Sequence, residues 1–506
     1  MIDDLLRGLA AVLTFHSLLL VAIGTTVGLF VGSVPGLTAT MALALLVPFT
    51  FTMDPLSGMV LLGAVYTSSM YGGAFTAILI NTPGTPGAIA TTLDGYPMAK
   101  NGQAELAILV ATVASVVGGL IAVIAVIAMA APLTEIAIRF GPAQYFWVAV
   151  LGLSLIAALS TGSLFKGLLG GALGMLIGTI GISPLGGESR FLFGYSQLQG
   201  GVQLLVALIG LFAIPELIRL AVSATKSVDV DYSRGSESLL RAFSVTLRRP
   251  WNVLRSSFIG LVIGIIPGAG NNVAGLVAHN EAKRADADPS SFGKGNVQGV
   301  VASEASNNAA VAGSVVPLLT LGVPGSPPAA VMLGALMLHG IRPGSALFAE
   351  SGTLAYGFIL SLGVSALALL VVGVLGGRLI CRAVCAVPVT YLVPAIAFMS
   401  ILGAYSMRNS IIDVFIMIGI GIFAYLVRHI GLQPAPIALG LILGPIAEQG
   451  FSMSMLLGGA VHDVPIYALF DNWMSWALIA MVFVTLFWPM VQEARRKKDT
   501  TSVGSE

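Results

Sequence analysis

Charge is what this sequence has least of. Asp, Glu, Lys and Arg together make up 9% of its 506 residues, where a soluble protein carries roughly 25%. With 56% apolar residues and a mean hydropathy of +0.95, too few charges remain to cover a water-facing surface. Cysteine is nearly absent. Cys381 and Cys385 sit four apart on one helical stretch and read as packing residues, with no support for a disulfide framework or a thiolate metal site. A net charge of +1, with no basic stripe interleaved with aromatics, argues against nucleic acid as a partner. The sequence has no HExxH metal motif, no G-x-S-x-G elbow and no P-loop lysine, so metal-assisted or serine-type hydrolysis and ATP hydrolysis lack their usual residues. Its five histidines, His16, His279, His339, His429 and His462, are scattered, which suits structural or interfacial roles better than a ligand set. A basic leader is missing too: Asp3 and Asp4 precede the first apolar run, so no cleaved signal peptide is expected.

What the chain does have is long apolar runs. Several reach the roughly 20 residues that cross a bilayer. The fold class expected is an all-α polytopic membrane protein of about 10–12 spans, embedded in the lipid bilayer. Sixty-one glycines suit helices that approach one another closely.

The runs are broken at particular places. Leu18 to Phe49 is too long for one straight span and is interrupted by Pro35-Gly36; Gly28, Gly32 and Gly36 before the break fall on one helical face. Met59 to Ile80 ends at Asn81-Thr82-Pro83-Gly84-Thr85-Pro86. The arm after it, Gly87 to Leu93, is too short to cross, and Asp94 to Lys100 reads as a polar turn. Proline removes a backbone donor and glycine tolerates unusual dihedrals, so such breaks are tolerated in a membrane only where protein or a water-filled cavity surrounds them. The expected local structure is a re-entrant hairpin or a discontinuous helix. Further spans are expected at 104–130, 143–160, 163–182 and 200–222.

A composition shift follows at 224–256, where Lys226, Arg234, Arg241, Arg248, Arg249 and Arg255 outnumber Asp229, Asp231 and Glu237. The tail carries Arg495, Arg496, Lys497 and Lys498. The positive-inside tendency puts both on the cytoplasmic side. Beyond the linker the pattern returns. Ile259 to Gly268 mirrors Val27 to Gly36 at an offset of 232, with Gly260, Gly264 and Gly268 on Gly28, Gly32 and Gly36. Leu321-Gly322-Val323-Pro324-Gly325-Ser326-Pro327 repeats the second break at an offset of 241 (Thr85 to Ser326). Tyr391 to Gly431 echoes Tyr145 to Gly181 at 246–250. The expected organisation is a first repeat over 1–223, a basic linker over 224–256, a second repeat over 257–450, and an extra helix with a basic tail over 451–506. A cytoplasmic linker and tail, with an odd number of helices per repeat, favour inverted over parallel repeats.

Paired breaks in corresponding halves point to a transporter site. Free N–H groups at broken helices suit an anion, and carbonyl and hydroxyl oxygens suit Na⁺. The candidate substrate- and ion-binding residues are Gly36, Thr38, Thr40, Asn81, Thr82, Pro83, Gly84, Thr85, Gly268, Asn271, Asn272, Asn307, Asn308, Thr320, Pro324, Gly325 and Ser326, with Na⁺ near the two Pro-Gly tips. Glu304 shares a helical face with Asn307 and Asn308; it is either a coupling carboxylate or, in a helix starting near Val297, a residue that snorkels to the surface. Lys166, Glu216, Arg408 and Asp413 sit near span ends as interfacial anchors, and Asp94 and Lys100 suit the cap of a loop.

Several stretches resemble one family closely. They are Pro35-Gly36-Leu37, Tyr71-Gly72-Gly73, Asn81 to Gly84, Asp94 to Ala99, Phe292-Gly293-Lys294-Gly295, Glu304 to Ala309, Leu319 to Pro327 and Gly334 to Gly340. They are similar to the large membrane subunit of the tripartite tricarboxylate transporters, the TctA family, over nearly the whole chain. The resemblance implies a permease of the bacterial inner membrane for tricarboxylate- or dicarboxylate-like anions. It also implies a small membrane subunit of about four helices and a periplasmic substrate-binding protein as partners. Import would be driven by a cation gradient, Na⁺ or H⁺, with no cofactor. Two departures from the family's pattern stand out: Asn271-Asn272 where smaller or less polar residues are expected, and neutral Thr85 where an acidic residue is also common. The alternatives are a stand-alone carboxylate exporter or channel that needs no binding protein and, more remotely, an enzyme built on Glu304 or His339.

Overall fold

The computed structural model describes residues 2–159, 164–183, 186–222, 237–266, 270–386 and 389–487. The chain opens with α1 (Ile2–Val12), α2 (Phe15–Ser33), α3 (Ala39–Thr50), α4 (Pro55–Ile80), α5 (Ile89–Lys100) and α6 (Ala104–Ile138). It continues with α7 (Pro142–Leu159), α8 (Leu164–Gly178), α9 (Leu204–Val222), α10 (Leu239–Leu247), α11 (Pro250–Ile265), α12 (Gly270–Ala285) and α13 (Val297–Leu321). Then come α14 (Pro327–Leu338), α15 (Ser345–Glu350), α16 (Gly352–Ala386), α17 (Val389–Ser406), α18 (Ile411–His429), α19 (Pro434–Val461) and α20 (Trp473–Phe487). Among the described residues the only strands are β1 (Gly181–Ile182) and β2 (Ser189–Arg190), antiparallel with Gly181 opposite Arg190. The protein is thus an all-α membrane protein, as its composition requires.

Local chemistry sets the element ends. Thr38 caps α3 by accepting from Met41 N–H at 3.1 Å, and Asp54 caps α4 by accepting from Ser57 N–H at 3.1 Å, with Pro55 opening the helix. The two Pro-Gly tips begin where α4 and α13 end in left-handed residues, Asn81 at φ 55° and Gly322 at φ 70°.

The chain divides into two compact units, one of residues 1–137 with 205–422 and the other of 138–204 with 423–506. The first unit takes segments from both halves of the sequence. Its centre is α4 and α13. Every residue from Ser57 to Ile78 and from Gln298 to Thr320 is buried. Among the described residues six helices are long and apolar enough to cross a membrane: α2, α6, α9, α16, α18 and α19. Neither α4 nor α13 is among them. A helix surrounded by protein need not be as apolar as one that faces lipid, and these two spend that freedom on Tyr66, Thr67, Ser68, Ser69, Glu304, Ser306, Asn307 and Asn308.

Glycine lets the neighbouring helices reach α4 and α13. A β-carbon at Gly28 would strike Ser68, and one at Gly32 would strike the Ser69 carbonyl, so α2 lies flat on α4. Correspondingly, a β-carbon at Gly260 would strike the Ser306 carbonyl, and one at Gly264 would sit 2.5 Å from the Ala310 carbonyl oxygen, so α11 lies on α13. Apolar attraction does not separate helix contact from lipid contact, which leaves close van der Waals packing to hold such pairs. In the other unit α8 meets α19 in the same way at Gly174 and Gly440, and Arg190 pairs with Glu448 at 2.8 Å.

One local expectation changes. Asp94 to Lys100 is the second half of helix α5, not a turn. Residues 279–285 complete α12, and the linker contains helix α10 and the start of α11 at Pro250. Residues 223–236 of the linker and 488–506 of the tail lie outside the described residues.

Substituting Gly32→Val or Gly264→Val is expected to cost about 1–3 kcal/mol through overpacking. Gly419→Ala, which meets nothing within 4 Å, should leave stability unchanged. Thermal unfolding of the solubilised protein checks both.

Candidate functional site at the Pro-Gly tips

Both tips fold back on the helix they leave. At the first, Thr82 N–H donates to Thr76 carbonyl at 3.2 Å and Gly84 N–H to Gly73 carbonyl at 3.3 Å. The second makes the same bonds 241 residues later: Val323 N–H to Pro317 carbonyl at 3.1 Å and Gly325 N–H to Ser314 carbonyl at 3.3 Å. Gly84 and Gly325 are wedged against the Gly32 and Gly264 carbonyls, where no β-carbon fits. A new helix follows each tip. Thr85 precedes a short 3-10 turn leading into α5, and Ser326 caps α14 by accepting from Ala329 N–H at 3.3 Å.

The central helix of each half also reaches the other half's tip. The Tyr66 hydroxyl of α4 lies 2.8 Å from Ser326 Oγ and 3.0 Å from Ser314 Oγ. Asn307 of α13 donates from Nδ2 to the Met70 carbonyl at 3.1 Å, the same oxygen that Thr85 Oγ1 reaches at 3.4 Å. A β-carbon at Gly87, just past the first tip, would collide with the Asn307 side chain. Tyr66 and Asn307 stand 241 residues apart, at equivalent places on α4 and α13.

The arms cross over as well. Buried Asp94 on α5 accepts at Oδ1 from the backbone N–H groups of Gly293 (2.8 Å), Gly295 (3.0 Å) and Asn296 (2.8 Å). Its Oδ2 lies 2.7 Å from His279 Nε2 of α12. Asp94 does cap a loop, and the loop is the one that opens α13. Nearby, Thr91 donates to one oxygen of Glu304, Ser115 of α6 donates to the other at 3.0 Å, and the Asn307 amide reaches the same carboxylate. Glu304 is 0% exposed and does not snorkel to the surface.

The candidate residues divide by position. Thr85, Ser326, Asn307 and Glu304 are buried and joined through α4 and α13. Gly84, Gly325 and Pro324 are buried backbone at the tips; Pro83 is half-buried, and Asn81 and Thr82 are exposed. Gly36 adopts φ 99° at the first break, and Thr40 is buried beyond it. Thr320 turns to its own helix, donating to Val316 carbonyl at 2.8 Å. Asn308 is buried with neither amide atom bonded. Gly268 lies outside the described residues, as do the side chains of Asn271 and Asn272 in the first turn of α12. Among the described residues no group of three or more His, Cys, Asp or Glu comes together as a metal site. Sequence reasoning missed Tyr66, Thr91 and Ser115. It also missed Arg219, whose Nη2 would lie 2.8 Å from a β-carbon at Gly36 and which pairs with Glu216.

A family model described as "Tripartite tricarboxylate transporter TctA family" matches residues 18–439. An uncharacterised 52.8 kDa protein in the TAR-I ttuC' 3' region of Agrobacterium vitis is 32% identical over 505 residues, covering 99% of each chain. A second uncharacterised protein, in the TAR-II ttuC' 3' region of the same organism, is 31% identical over 245 residues, covering 48% of this chain and 99% of its own. No solved structure matches.

Replacing Asp94 with Ala strands three backbone donors and is expected to cost about 3 kcal/mol or more. Asp94→Asn keeps one acceptor oxygen and should fall between Ala and the native protein. Melting temperatures of the purified variants check that order.

Proposed function

The chain belongs to the tripartite tricarboxylate transporter TctA family, and on that premise we propose that it is the large permease subunit of a binding-protein-dependent importer of carboxylates, driven by a cation gradient. One observation carries the reading: every Pro-Gly break opens a new helix. α3 starts beyond Pro35-Gly36, α5 beyond the first tip, α12 beyond Ile266 and α14 beyond the second tip. Helix N-termini carry unpaired N–H groups and the positive end of the dipole, which suit a substrate's carboxylates. Neutral Thr85 and Ser326 at two of these starts leave no negative charge to repel it. The catalytic constellations of the common hydrolases are absent from the sequence, which favours a carrier over an enzyme.

On this reading the two halves are copies of one inverted unit. Contacts that recur at offsets of 232 and 241 residues support the duplication. Substrate would be handed over by a periplasmic binding protein and held near mid-membrane between the tips, with a small membrane subunit completing the assembly in the inner membrane. Because Tyr66 of α4 bonds the second tip and Asn307 of α13 packs against Gly87 just past the first, release of a tip would coincide with a shift of α4 against α13.

Uptake into vesicles carrying the whole system tests the proposal. Thr85→Ala and Ser326→Ala are each expected to slow uptake about tenfold. Unchanged uptake in both would place the site elsewhere, and uptake that ignores the binding protein would favour a stand-alone carrier.

A further inference from the structure

Among the described residues no cationic side chain pairs with Glu304. It is 0% exposed, and its hydrogen-bond partners are the hydroxyls of Thr91 and Ser115 and the amide of Asn307, all neutral. Neutral donors soften the burial of a carboxylate but leave its charge uncompensated, and a fully buried carboxylate is costly without a counter-charge. Asn308 supplies an independent observation. It lies one turn further along α13 on the same face, is 1% exposed, and neither its Oδ1 nor its Nδ2 has a partner. Asn307 Oδ1 is likewise buried without a partner. Unmet polar atoms of this kind each cost about 1–3 kcal/mol unless something occupies the site. They lie on the face of α13 that also carries Glu304, whose carboxylate lacks a counter-charge.

We propose that Glu304, Asn308, Thr91 and Ser115 form a binding site for Na⁺. Every ligand offered is a hard oxygen: a carboxylate, an amide carbonyl and two hydroxyls. One carboxylate balances one positive charge, so a monovalent ion leaves the site neutral where a divalent ion would not. This deepens the transporter reading, on which it rests, by moving the coupling ion from the tips to the helix behind them. Three elements meet at the ion: α13 brings Glu304 and Asn308, α6 brings Ser115, and α5 brings Thr91. Because α5 is the arm that follows the first tip, loading the site ties that arm to α13 and α6. Emptying it removes the charge that holds them together.

Binding of ²²Na⁺ to the purified full-length chain, with Na⁺-dependent thermal stabilisation as a second readout, tests this without any carboxylate or binding protein. A failure here is therefore distinct from a failure of the transporter reading. The native protein is expected to bind Na⁺ and to melt at a higher temperature in NaCl than in choline chloride. Glu304→Gln should lose both responses while folding, because it keeps the shape of the side chain and one acceptor oxygen. Ser115→Ala and Asn308→Ala should weaken half-saturation by about tenfold or more, and Glu188→Gln, an exposed position in the other compact unit, should match the native protein. Absence of Na⁺ binding by the native chain would overturn the proposal. So would Na⁺ binding that survives Glu304→Gln unchanged.

Discussion

A peptide N–H inside an apolar helix bundle has no water to turn to, and each break in a helix creates several such groups. The architecture of the first compact unit follows from how its two tips meet that constraint. Gly84 and Gly325 donate back to carbonyls on α4 and α13, the helices their chains have just left. This return is open only to a residue without a β-carbon, because Gly32 and Gly264 press in from the other side. The stripe of glycines on α2 and α11 and the glycine in each tip are thus one requirement seen from two helices. Their reward is a pair of polar loops set against the most deeply buried helices of the chain.

Self-satisfaction of the backbone leaves the tip side chains free to bond elsewhere: Ser326 bonds across the halves, and Thr85 bonds to Met70 of its own half. Tyr66 holds Ser326, Asn307 shares the Met70 carbonyl with Thr85, and Asp94 gathers three N–H groups from the loop before α13. The two anchors differ in kind. Tyr66 uses one hydroxyl between two serines, whereas the first tip's arm adds a carboxylate with several donors and a link through Thr91 to Glu304. Such an arrangement suits a carrier, because a tip can be released by breaking a few hydrogen bonds without opening the apolar core.

Much of this was legible from residue types alone. Proline and glycine mark the breaks at Pro35, Asn81–Pro86 and Leu321–Pro327, where Gly36 and Gly322 adopt positive φ and Gly84 and Gly325 have no room for a β-carbon. The scarcity of charge marked the membrane. What could not be read was whatever depends on a distant partner. Asp94 to Lys100 looks like a turn because Asp, Gly and Pro favour turns, yet it is helical, with Asp94 docked on the 293–296 loop nearly 200 residues away. Tyr66, Thr91 and Ser115 passed for packing residues, since one hydroxyl in an apolar run signals nothing until its partner is known. Glu304 could be noticed but not placed, because burial belongs to the surrounding helices and not to its neighbours in sequence.

The central claim is that α4 of the first half holds the second tip through Tyr66 and Ser326. A double-mutant cycle on uptake, with Tyr66→Phe and Ser326→Ala alone and together, addresses it most directly. The two changes remove the ends of one hydrogen bond, so the account predicts that the double variant is hardly slower than the worse single one, a coupling of about 1 kcal/mol or more. Strictly additive losses would mean that Tyr66 does not hold the second tip in the working protein, and would contradict the account.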